Sequence, residues 1–196
     1  MKHYLNQYFK KCGKINPYRE NIDYTFIEYG GGNIVHFNFD KQDSEDSINA
    51  KYINNRIFLI ADNDNTKKGT AKHERKEHLK ELLEDNFYEL PVTEIENLLP
   101  QKAIEQVLIK QNPQCSAIID KKFSEDRKYN GVKLGCYIDN LFKDVDMKKY
   151  SAESGTIKNK LAFCQAAIEF ITDYDMLTYE AKELVEKLVA FIELNN

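Results

Sequence analysis

The run Arg56-Ile-Phe-Leu-Ile-Ala61, closed at once by Asp62-Asn63-Asp64, most constrains what this chain can fold into. An unbroken apolar stretch of this length, rich in β-branched and aromatic residues, suits a strand covered on both faces, as in a parallel sheet. Parallel neighbours need a crossover. The strongly helical stretch at 71–86, with Leu79, Leu82 and Leu83 on one face, supplies it. Phe87-Tyr-Glu-Leu90, closed by Pro91, reads as the returning strand. Upstream, Tyr24-Thr-Phe-Ile-Glu28 is a run of β-formers ending in a carboxylate, followed by Gly30-Gly31-Gly32. Residues 33–39 suit a helix or a strand, and 40–50 read as a loop. Thr93 and Glu96 have capping-box spacing and predict a helix near 94–110. The alternation implies an α/β fold with a mainly parallel sheet flanked by helices.

The flanks are simpler. Residues 2–12 predict a short amphipathic helix with Tyr4, Leu5, Tyr8 and Phe9 together. Asn112-Pro113 marks a turn, 115–139 leave room for one more strand and a loop, and 160–172 and 177–194 predict amphipathic helices. The expected organisation is an N-terminal helix over 1–20 as a partner-docking element, a core over 21–110, and a mostly helical remainder over 111–196.

Composition narrows the function classes. The net charge of −4 excludes a strongly basic nucleic-acid-binding domain. It does not exclude an enzyme that gathers carboxylates around a metal. The four cysteines, Cys12, Cys115, Cys136 and Cys164, form no CxxC pair, so a zinc site is not expected. With no secretory signal and no apolar span, the expectation is a soluble cytoplasmic protein with reduced thiols and no membrane partner.

The chemistry concentrates at strand ends. Ligand sites of open α/β sheets lie at the carboxyl ends of strands, where Glu28, Asp62 and Asp64 are expected to converge. In Asp-x-Asp both carboxylates lie on one side of an extended chain. Hard cations such as Mg²⁺ take carboxylate, water and phosphate oxygens. The plain alternative is turn chemistry, which Asp-Asn-Asp-Asn also satisfies. Gly31 and Gly32 suit backbone contact with phosphate. Lys67 and Lys68, after the Asp-x-Asp loop, are either a solvated face or contacts to a nucleic-acid backbone. Glu94-Ile-Glu96-Asn97 is a third acidic group; acids at a helix start are also favoured by the dipole alone.

Phe26-Ile-Glu-Tyr-Gly-Gly-Gly-Asn33, Arg56-Ile-Phe-Leu-Ile-Ala-Asp-Asn-Asp-Asn65 with its lysine-rich loop, and Leu90-Pro-Val-Thr-Glu-Ile-Glu-Asn-Leu-Leu-Pro100 together resemble the TOPRIM domain of the OLD (overcoming lysogenization defect) family of nucleases over roughly 24–110. The resemblance implies a TOPRIM-like, Rossmann-like fold and Mg²⁺- or Mn²⁺-dependent cleavage of DNA, or less readily RNA. It implies Glu28, Asp62, Asp64 and Glu96 as acidic catalytic and metal residues. Lys160 is implied as the phosphate-neutralising lysine, with Lys158 the alternate. Asn33 stands where many such domains have an acid. No Gly-x-x-x-x-Gly-Lys-Ser/Thr motif is present. The resemblance therefore implies an ABC-type ATPase on another chain, and an effector role in antiphage defence. A homo-oligomer is compatible with the sequence. The rival reading is a non-catalytic TOPRIM-like regulatory or scaffold subunit that binds the ATPase.

Overall fold

The computed structural model describes residues 1–28, 37–38, 48–49, 56–63, 68–126 and 128–196. Its organising unit is one strand–helix–strand crossover. Strand β3 (Leu59–Ala61) pairs in parallel with β4 (Phe87–Glu89), with Leu59 opposite Phe87, Ile60 opposite Tyr88 and Ala61 opposite Glu89. Leu90 extends the ladder, its N–H donating to the Ala61 carbonyl at 2.9 Å. Two shorter strands, β1 (Phe37–Asn38) and β2 (Ile48–Asn49), form a separate parallel pair.

The apolar run is covered on both faces, for the reason its sequence suggests. Side chains alternate along an extended chain. Ile57 and Leu59 pack with Leu79, Leu82 and Leu83 of the crossover helix α2 (Ala71–Leu83). Phe58 and Ile60 pack against the main core, where the Phe58 ring lies 5.5 Å from that of Phe191. The Thr70 hydroxyl caps α2 by accepting from the His73 N–H at 3.3 Å. After Leu83 the chain tightens into a 3₁₀ turn, Glu84–Asn86, entered through a left-handed Glu84 with φ of 48°.

The rest is a helical layer. Helix α1 (Lys2–Lys11) buries Tyr4, Leu5 and Phe9 and packs on α7 (Tyr179–Asn195) and on the 3₁₀ turn Tyr174–Met176. Its apolar face is thus covered within the chain. Helix α3 (Gln101–Gln111) places Ala103, Ile104, Val107 and Leu108 at the centre of the core, against α4 (Ser116–Lys122) and α6 (Lys160–Ile168). Helix α5 (Leu134–Leu141) contributes Leu134 and Ile138. No helix among the described residues is long and apolar enough to cross a membrane.

Four local expectations are corrected. Tyr24–Glu28 forms no strand: Tyr24 makes an isolated bridge with Glu20, and Thr25 to Glu28 lie exposed. The described residues of 115–139 hold two helices and no strand, because Ile119, Leu134 and Ile138 are buried from helical rather than alternating positions. The helix expected over 94–110 is split. Leu99, held extended before Pro100 (φ −65°, ψ 132°), separates a 3₁₀ turn, Ile95–Leu98, from α3. The capping partner is also different. Asn97 Oδ1 accepts from the Glu94 N–H at 2.9 Å, while Thr93 spends its hydroxyl and N–H on the Asn130 carbonyl.

Candidate functional site

Parallel pairing gives β3 and β4 a common exit edge. The chain leaves β3 at half-buried Asp62 and leaves β4 through Leu90-Pro-Val-Thr93 into Glu94. Asp62 Oδ1 accepts from the Ile95 N–H at 3.0 Å, so the loop after one strand is tied to the turn after the other. Asn97 fixes that turn from below. Its side-chain amide donates to the carbonyls of Tyr129 (2.7 Å) and Val132 (3.0 Å) while its oxygen holds Glu94.

The turn presents two carboxylates inward. The side chains of Glu94 and Glu96 are 5% and 2% exposed, against 41% for Lys160, whose ammonium lies 2.8 Å from Glu96 and 3.8 Å from Glu94. Each glutamate keeps one buried oxygen, Oε2, with no hydrogen-bond partner. Buried carboxylate oxygens are costly to leave unsatisfied. Burial pushes the Glu94 carboxyl above its ordinary value; Lys160 opposes this, Glu96 adds to it, and Lys133 and Asp62 act more weakly in opposite senses. Burial works to lower the Lys160 ammonium, yet contact with Glu96 and the fields of Glu96, Glu94 and Asp62 outweigh it and hold it cationic. One helical turn on, burial and then Glu96 push the Cys164 thiol up to about 11, so it is not a nucleophile near neutral pH.

Lys160 is set in place by the segment before it. Asn159 adopts a left-handed conformation (φ 50°) at the start of α6, and the Lys158 N–H donates to the Tyr150 carbonyl at 2.7 Å. Asp139 on α5 holds this segment, accepting from the N–H groups of Tyr150 (2.7 Å) and Ser151 (3.1 Å) and from the Ser151 hydroxyl (2.5 Å). The fit requires Gly135. A Cβ there would lie 2.5 Å from the Thr156 carbonyl oxygen and 2.8 Å from both the Gly155 oxygen and Ser151 Cα. Gly135→Ala is expected to destabilise the fold by about 1–3 kcal/mol in urea unfolding, since all three obstacles are backbone.

Asp139 also gives a pH signature. Burial alone would raise its carboxyl, but the Ser151 hydroxyl and the two N–H donors outweigh burial and lower it. A folded-state value below the unfolded one contributes stability that is present above the ordinary carboxylate value, about 4, and is lost as pH falls through the folded value. The gap in melting temperature between wild type and Asp139→Asn is therefore expected to narrow as pH is taken from about 6 to about 3.

Of the residues singled out from sequence, the fold brings Asp62, Glu94, Glu96 and Lys160 together. Glu28 is exposed and, among the described residues, has no hydrogen bond or ion pair to them. Lys68 lies in an exposed turn beside Gly69, and Lys158 is exposed. Asp64, Lys67, Gly31 and Gly32 lie outside the described residues. Two contributors were not singled out. Asn97 was readable from its position three residues after Glu94; Lys133, which donates to the Ser154 carbonyl at 2.8 Å and acts on Glu94, has no such sequence signal.

Asp62, Glu94 and Glu96 offer the hard oxygen donors that Mg²⁺ takes, and the two unpartnered Oε2 atoms suit a cation. Among the described residues, no group of three or more His, Cys, Asp or Glu side chains is disposed to hold a metal ion as it stands. Lys160 is the cation this cluster already contains. No protein-family model matches the chain, and comparison with curated proteins and with solved structures finds no match.

Proposed function

We propose that this chain is the TOPRIM-like acidic module of a divalent-metal-dependent nuclease that hydrolyses DNA, or RNA, phosphodiesters. The observation that supports it is the meeting of Asp62, Glu94, Glu96 and Lys160 at the common exit edge of two parallel strands, with two buried carboxylate oxygens unpartnered. Asp62, Glu94 and Glu96 would hold Mg²⁺ or Mn²⁺, with Asp64 proposed as the second acid of the Asp-x-Asp pair. The bound ion supplies Lewis-acid stabilisation of charge developing on phosphate. Asp62 orients the turn through the Ile95 N–H, so one side chain serves both donor and clamp. Lys160 keeps a positive charge beside the acids and, being partly exposed, is able to turn toward a phosphate oxygen. Burial pushes the Cys164 thiol up, and the proposed chemistry gives it no role. The companion proposal is an ABC-type ATPase on another chain that gates the module in antiphage defence.

A second reading has its own support. With Lys160 already 2.8 Å from Glu96, the cluster also fits an internally neutralised ion pair in a non-catalytic subunit that binds the ATPase. Incubation of the protein with plasmid, single-stranded DNA and RNA separates the two. Cleavage that requires Mg²⁺ or Mn²⁺ and stops on chelation is expected from the nuclease. Intact substrates under every metal condition, with and without an ABC-type ATPase, would leave the scaffold reading.

A further inference from the structure

Away from the acidic site, the segment after α1 folds back along that helix and encloses an open concavity of about 550 Å³. In a chain of net charge −4, this concavity is lined by four cations, Lys2, Lys10, Lys14 and Arg19, against a single carboxylate, Glu20. We infer that it binds a single-stranded nucleic acid, with phosphates along the cations and bases against Tyr18 and Tyr24.

Not all four charges are equally available. Lys2 pairs with Glu20 at 2.8 Å and Arg19 with Asp23 at 3.4 Å. Lys10 donates only to the neutral Thr172 carbonyl, and Lys14 is exposed with no side-chain partner among the described residues. The free charge therefore sits at the Lys10–Lys14 end. Lys2 and Lys10 share one face of α1 and stand about 12 Å apart along its axis at the usual helical rise. A compact anion reaches one of them; an extended polyanion reaches both.

The rings argue for bases rather than a bare chain of charges. Tyr18 and Tyr24 are half-buried in the lining, and each is braced by a second ring: Phe9 at 5.9 Å from Tyr18, Phe26 at 5.4 Å from Tyr24. Asn16 fixes the fold-back, donating to Asn6 at 3.0 Å and accepting from the Tyr18 N–H at 3.0 Å. Ile15, 93% exposed, adds apolar surface at the rim. Braced aromatic side chains beside a basic track are how proteins hold unpaired strands without reading sequence. A duplex keeps its bases stacked inside and offers none to these rings. The inference concerns binding alone and does not rest on hydrolysis at the acidic site.

Fluorescence anisotropy with a labelled oligothymidylate 12-mer, at low salt with chelator present, tests it on the whole chain. Wild type is expected to bind. The double variant Lys10→Glu/Lys14→Glu, at two exposed positions, is expected to bind at least about tenfold more weakly, with a log–log salt slope shallower by about 1.4, two single-strand phosphates at ~0.7 each. Lys121→Glu/Lys122→Glu on α4 serves as the charge-matched control and is expected to bind as wild type. Tyr18→Leu is expected to weaken the oligonucleotide but not polyglutamate. Oligouridylate in parallel shows whether RNA is accepted as readily as DNA. Absence of binding by wild type, equal binding by the double variant and its control, or equal binding of polyglutamate and oligonucleotide would each overturn the inference.

Discussion

If the chain is the proposed nuclease, Asp62→Asn is expected to remove its metal-dependent cleavage while leaving the fold intact. The substitution is nearly isosteric and keeps an oxygen to accept from the Ile95 N–H, so the tie between the two strand-end loops survives. What disappears is one negative charge at the edge where Asp62 faces Glu94 and Lys160. If the acids hold the ion that stabilises phosphate charge, several kcal/mol of transition-state stabilisation depend on them. At about 1.4 kcal/mol per tenfold, a loss of ~10²–10³ in rate at saturating Mg²⁺ follows. Oligonucleotide cleavage gives the rate and circular dichroism the melting temperature. Wild-type cleavage by the Asp62→Asn protein would remove this carboxylate from the chemistry.

Lys160→Met is expected to be the most destabilising change at the site. Taking one partner from a buried pair leaves the other charge uncompensated, typically at ~3–5 kcal/mol. Because the Lys160 side chain is 41% exposed and partly screened, about 2–3 kcal/mol is expected. Adding Glu96→Gln to Lys160→Met should recover part of the loss, since one of the two buried carboxylates left without the ammonium is then neutral. The single variant also leaves Glu94 and Glu96 without the ammonium that balances them. Mg²⁺ or Mn²⁺ is accordingly expected to raise its melting temperature more than that of wild type, following the linkage between binding and stability. Equal shifts in both proteins would argue that Glu94 and Glu96 do not receive the ion.

How far the sequence spoke depended on whether local pattern and tertiary packing agreed. Arg56–Ala61 was readable because a run apolar at both alternating sets of positions has to be covered twice, and Leu59 and Ile60 indeed face different clusters. The crossover helix was readable from the apolar face of Leu79, Leu82 and Leu83, set against an otherwise charged sequence; its Thr70 cap was not singled out. Tyr24–Glu28 misled because β-formers do not make a strand without a neighbour to pair with; among the described residues Tyr24 finds only Glu20. The helix near 94–110 misled because the Thr93–Glu96 spacing mimics a cap, whereas Pro100 enforces a break and turns Glu96 inward. In the site, Asp62 was legible from its strand-end position and Glu96 from the acidic cluster at 94–96. The pairing of Lys160 with Glu96, some sixty residues away in sequence, belongs to tertiary geometry that no local window contains.

The hydrogen bond from the Ile95 amide to Asp62 has a mechanical meaning. It makes the two connections that emerge from neighbouring strands one lever rather than two. A displacement that draws Asp62 outward tugs on Ile95, and through Asn97 on the Tyr129–Val132 segment, which reaches α7 where Asn130 donates to Glu180 at 2.8 Å. The acidic edge and the far helix are thus joined by hydrogen bonds between loops, a route separate from the hydrophobic layers.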